Sequence, residues 1–322
     1  MMTPRFRKNA IRGLQIVVAL GLLALLWRIA DGEEALRLLG EATPGWLVAA
    51  FGVLSLQTIL SAARWRIIAR QLGIVLDAKT ALREYYVSQI VNQALPGGIL
   101  GDAHRAVRAR AQAGLVASGQ AVLLERLAGQ IALGALLIVA FSSTLAVPGG
   151  LEWPRWLSLG VLLVVVTALG FLMALIVVAR ETSGRMSRGL VSFGRAAVQA
   201  FAPPSVRWSQ IGLSLGTALC NVAGFAFAAW AVGSELSVSA ALVLVPLILL
   251  AMLIPLTIGG WGLREGAAAA LFPLVGAAAA EGLAASVGFG LVFLCVALPG
   301  LLFVASQRDK PRPDGDQGEQ KA

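Results

Sequence analysis

Two stretches hold the residues whose types and spacing point to chemistry. In 95–105 (LPGGILGDAHR), Pro96, Gly97, Gly98 and Gly101 come with Asp102 and Arg105; in 254–265 (IPLTIGGWGLRE), Pro255, Gly259, Gly260, Trp261 and Gly262 come with Arg264 and Glu265. Proline stops an incoming helix and clustered glycines let the backbone turn sharply. A helix restarting after such a turn presents free N–H groups and the positive end of its dipole, which suits an anion. A guanidinium within a turn of that end forks onto a phosphate. Anion recognition is therefore the expected chemistry.

Each of these residues also has a plainer reading. Arg105 is either an anion ligand or one more positive charge beside a loop. Asp102 and Glu265 either cap the restarting helices or act as carboxylates that exchange a proton or pair with arginine. Neighbours such as Arg264 and Glu265 project about 100° apart on a helix, so direct pairing between them is expected to be poor. Glu125 and Arg126 lie about 15 Å along an apolar span, either as an internal ion pair between helices or as part of a polar cavity. Asn92 and Gln93, just before the first break, either satisfy local backbone or line the same cavity.

The elements that must carry these residues follow from composition. The chain has 322 residues, 58% of them hydrophobic and 13% charged, with mean hydropathy +0.81. Soluble domains carry roughly 25% charge, so this is an integral membrane protein. Apolar runs near the roughly 20 residues of a spanning helix, without strand alternation, predict an all-α polytopic architecture. Six full spans are expected at about 11–30, 44–63, 115–147, 156–179, 209–232 and 282–305. The broken stretches at about 80–112 and 239–276 read as two re-entrant hairpins. Residues 1–10 form a cytoplasmic segment, 11–305 the membrane domain, and 306–322 a disordered polar tail. The first apolar run reads as an uncleaved span, because Arg28 stands where a signal peptidase needs a small residue.

A net charge of +9 and pI near 10.7 does not imply nucleic acid, because the basic residues fall in short segments between spans. They set orientation instead. Arg64, Arg66, Arg70, Lys79 and Arg83 are read as following span two, and Arg180, Arg185, Arg188, Arg195 and Arg207 as filling the loop after span four, which places both termini in the cytoplasm. Trp27, Trp46, Trp65, Trp153, Trp156, Trp208 and Trp230 are read as interfacial anchors. The halves 11–147 and 156–305 then follow the same order of span, span, hairpin, span. With three crossings each, the second copy is inverted, as in secondary transporters. Cys220 and Cys295 lie in spans and His104 is the sole histidine, so neither a disulfide framework nor a metal site is expected. No phosphate-binding loop or other cofactor motif is present.

Asn92 and Pro96-Gly97-Gly98, Gly101-Asp102 with Arg105, Glu125-Arg126-Leu127, and Pro255 with Gly259-Gly260-Trp261-Gly262 and Arg264-Glu265-Gly266 resemble, in order, the lysylphosphatidylglycerol synthase transmembrane, flippase-like family. The resemblance implies a bacterial cytoplasmic-membrane protein that moves or presents a polar, anionic or modified lipid. It implies no synthase activity, since that belongs to an additional soluble domain. The expected function is lipid translocation without enzymatic chemistry, with the quoted residues binding the lipid. Two alternatives differ in class: a non-transporting scaffold for a lipid- or glycolipid-modifying enzyme, and an intramembrane transferase, for which no nucleophile is recognisable.

Overall fold

The computed structural model describes residues 21, 24–25, 27–94, 100–146, 153–181, 184–253 and 260–308, and the described chain is helical throughout. Both proline turns, with Pro96, Gly97, Gly98, Pro255 and Gly259, lie outside the described residues, as does most of the first expected span. A short helix α1 (Gly32–Gly40) precedes the long α2 (Pro44–Gln71). Helix α3 (Ala78–Ala94) and α4 (Leu100–Ala146) flank the first break. Then come α5 (Arg155–Glu181), α6 (Arg185–Phe201), α7 (Pro204–Ala231) and α8 (Val238–Ala251). Helix α9 (Leu263–Leu271), α10 (Ala279–Ala297) and α11 (Pro299–Arg308) complete the order.

Among the described residues, five helices are long and apolar enough to cross a membrane: α2, α4, α5, α7 and the stretch Ala279–Val304. The protein is a multi-pass membrane protein. The segment read as a loop after span four is instead helix α6, whose Ala196 and Ala200 pack beneath Ile68, Ala69, Ala121 and Leu124. Its small residues recur at helical spacing, and that pattern was hidden among the arginines.

Helices α2 and α7 are built alike. Each has 28 residues and opens on a proline, where the fixed φ suits the first helical position. Each closes on a glycine in the left-handed region, Gly73 and Gly233, both at φ 83°. Ile74 N–H then bonds the Ala69 carbonyl at 2.9 Å, as Ser234 does Ala229 at 3.0 Å, a Schellman closure that satisfies carbonyls the helix leaves open. Every landmark recurs 160 residues on, from 44 to 204, 71 to 231, 73 to 233 and 78 to 238. The pair runs antiparallel. Thr43 N–H donates to the Ala231 carbonyl at 2.8 Å, and Trp46 packs on Trp230 with centroids 5.0 Å apart. Gly224 makes room for Leu54 farther along the crossing.

Helix α4 is two limbs. Gly114, at φ 81°, breaks its backbone, and Arg105 Nη2 meets Glu125 Oε2 at 3.4 Å, a pair that a straight helix would hold about 30 Å apart. Gly276, also at φ 81°, returns the chain between α9 and α10 in the same way. The core of the second half is aromatic, with Phe225 against Phe272 and Phe289. By contrast, α5 buries only Leu157 and Val161, so nearly its whole circumference is left for lipid.

Candidate functional site

Five charged side chains of the first half share one network. Arg64 Nη2 donates to Glu125 Oε1 at 2.6 Å, and Arg105 Nη2 donates to Asp102 Oδ1 at 2.6 Å. Arg126 Nε pairs with the other Asp102 oxygen, Oδ2. The Tyr85 hydroxyl donates to Glu125 Oε1 at 3.3 Å and Ser88 Oγ to Asp102 Oδ1 at 3.0 Å. Arg105 also lies over the rings of Trp65 and Tyr85, at 4.8 and 4.5 Å, where ring quadrupoles favour a cation. Three guanidiniums therefore face two carboxylates, all but Arg126 buried. Arg64 and Arg105 each keep Nε and Nη1 without a hydrogen-bond partner. Buried donors of that kind are costly, and the excess of one positive charge calls for an anion.

The break is tied across its two sides. Asn92 Oδ1 accepts from Gly101 N–H at 2.8 Å, so Asn92 satisfies backbone at the restart of α4. Gln93 instead reaches the Phe293 carbonyl at 3.2 Å, joining the two halves. A Cβ on Gly101 would fall on the Ser88 carbonyl, so glycine is what allows α3 and α4 to touch.

A separate network occupies the second half. Gly260 and Gly262 have φ of 81° and 90°, and Gly262 N–H donates to Glu265 Oε2 at 2.6 Å. Arg264 Nη2 donates to Glu265 Oε1 at 2.5 Å and Arg264 Nε to Ser286 Oγ at 2.9 Å. Arg264 and Glu265 do pair, against the expectation from helical projection. Ser286 bonds both side chains, at 2.9 and 3.1 Å, and their long arms bend to meet there. Trp261 stacks on Arg264 at 4.9 Å and Phe289 at 5.4 Å, while Gly290 leaves space for the guanidinium.

The networks stand near opposite ends of the bundle. Arg64 is about 10 Å from the Gln71 end of α2 and about 30 Å from its Pro44 end. Ser286 is about 10 Å from the Ala279 end of α10, which adjoins the Pro44 end through a cleft of about 310 Å³ lined by Glu34, Glu41, Thr43, Gly233 and Glu281. Glu125 is engaged by Arg64 and Arg105, and Arg126 by Asp102.

Sequence reasoning missed several members. Arg64 was placed after span two and Trp65 at an interface, yet both are buried within α2. Gln57, Ser61 and Arg64 fall at i, i+4 and i+7, a polar stripe inside an apolar run that gave the available signal. Tyr85, Ser88 and Ser286 carried no distinguishing pattern.

A family model described as the lysylphosphatidylglycerol synthase TM region matches residues 13–300, which includes both networks. Neither the curated proteins nor the solved structures gave a match. On that match, over nearly the whole membrane region, the chain belongs to the lysylphosphatidylglycerol synthase TM region family.

Proposed function

We propose that this protein is a lipid translocase that moves or presents a polar, anionic lipid across the bacterial cytoplasmic membrane. The family's name ties it to membrane lipid chemistry, and the observation that carries the finer reading is the buried first network. Its excess guanidinium and unpartnered nitrogens match a phosphate. The second network, where Arg264 and Glu265 balance, is the station toward the other end. In this reading the two halves are an inverted repeat, supported by the antiparallel α2 and α7 and their landmarks 160 residues apart. The broken hairpins are re-entrant and the headgroup passes between stations while acyl chains stay in lipid. Both termini are cytoplasmic, and the arginine-rich end of the bundle faces inward. The chain makes no covalent bond itself, and a lipid-modifying enzyme supplies or consumes its lipid. The test is transbilayer movement of a labelled anionic phospholipid in vesicles holding only this protein. Movement above that of empty vesicles is expected; none would leave the scaffold reading in its place.

A further inference from the structure

Along the second limb of α4, the outward side is a ridge of exposed Val116, Leu123, Leu127 and Ile131. One charge interrupts it. Arg126 is 42% exposed there, while its Nε reaches inward to Asp102 Oδ2. It is thus the member of the buried network that also borders the surroundings of the bundle. On an apolar membrane-facing ridge those surroundings are acyl chains, in which a guanidinium is poorly solvated. Its partner Asp102 also holds Arg105 at 2.6 Å and Ser88 at 3.0 Å. Just inside, Arg105 and Arg64 carry the unpartnered buried nitrogens.

We propose that Arg126 is the lateral port of the site, where the phosphate of an anionic glycerophospholipid arrives from the surrounding bilayer and displaces Asp102 from Arg126, with its acyl chains along Leu123, Leu127 and Ile131. This deepens the translocase reading and rests on its premise that lipid is the ligand. Asp102 keeps Arg105 and Ser88 when Arg126 swings to the phosphate, so the exchange leaves no carboxylate unpaired. The headgroup then lies beside the open donors of Arg105 and Arg64. Soluble anions lack the chains that the ridge would hold, which is why the bilayer is the assigned source.

The test is native mass spectrometry of the purified full chain titrated with phosphatidylglycerol. Arg126→Gln removes the charge, and Leu123→Asp, one helical turn away at the exposed edge, sets a competing carboxylate beside it without entering the core. Each should weaken the lipid adduct about tenfold or more, the usual cost of losing a charge-assisted contact, with helical content unchanged. Arg126→Lys should fall between parent and Gln. An undiminished adduct in both Arg126→Gln and Leu123→Asp overturns the port, since lipid would then be held elsewhere, as on the basic α6. Displacement of the adduct by millimolar glycerol phosphate alone would also overturn it by assigning a soluble anion. Transbilayer movement is measured separately. A parent that binds lipid at Arg126 yet moves none upholds the port and removes the translocase.

Discussion

Arg264 and Ser286 converge on one carboxylate oxygen, Glu265 Oε1, deep in the second half. Because the pair is buried, removing one partner leaves a charge without compensation, at a cost of about 3–5 kcal/mol. Arg264→Gln should therefore lower the thermal midpoint strongly. Adding Glu265→Gln should recover much of that loss, and a double-mutant cycle in detergent measures it. Additive losses would mean that the two side chains do not act as a pair. Anion recognition at this station predicts in addition that lipid movement falls less for Arg264→Lys than for Arg264→Gln, since lysine keeps the charge and loses the planar fork. The arginines of both networks were legible as types in the sequence. Their partners were not: helical projection set Arg264 and Glu265 about 100° apart, whereas side-chain reach and a serine more than twenty residues on decide the contact.

At the scale of elements, the hairpin of α3 and α4 depends on a backbone approach. Gly101→Ala puts a methyl onto the Ser88 carbonyl, a group that cannot swing aside, so overpacking should cost about 1–3 kcal/mol and loosen the Ser88–Asp102 contact. Gly119→Ala, in the other limb of α4 with nothing near its added Cβ, should instead be neutral or stabilising by about 0.5–1 kcal/mol from helix propensity. Thermal unfolding of the two variants checks the sign difference. Spans 156–179 and 209–232 could be read from apolar run length, and the broken stretches from proline and glycine, because those signals are local. Helix α6 was obscured because its arginines matched the topogenic loop pattern. The return at Gly114 falls between the expected hairpin, about 80–112, and the expected span, about 115–147. Its proof is the contact of Arg105 with Glu125, which no local pattern encodes.

For the whole molecule, the antiparallel packing of two like-built helices ties function to orientation. The arginine-rich end, with Arg66, Arg70, Lys79 and α6, is read as cytoplasmic, and the end with Glu34, Glu41, Glu235 and Glu281 as external. With the native cysteines replaced, a cysteine at Gly184 should be shielded from an impermeant reagent in intact cells and one at Glu235 labelled. Equal labelling of both would remove the inverted arrangement.

The most direct measurement concerns Arg105, which touches both carboxylates of the first network and lies over two rings. Transbilayer movement of fluorescent phosphatidylglycerol is followed in vesicles containing the parent, Arg105→Lys or Arg105→Gln, with folding checked by unfolding midpoint. Movement by the parent is expected, with a loss of about tenfold or more in Gln and a smaller loss in Lys, as for a charge-assisted phosphate contact. Full-rate movement by a folded Arg105→Gln protein would contradict the assignment of the buried arginine network to the lipid headgroup.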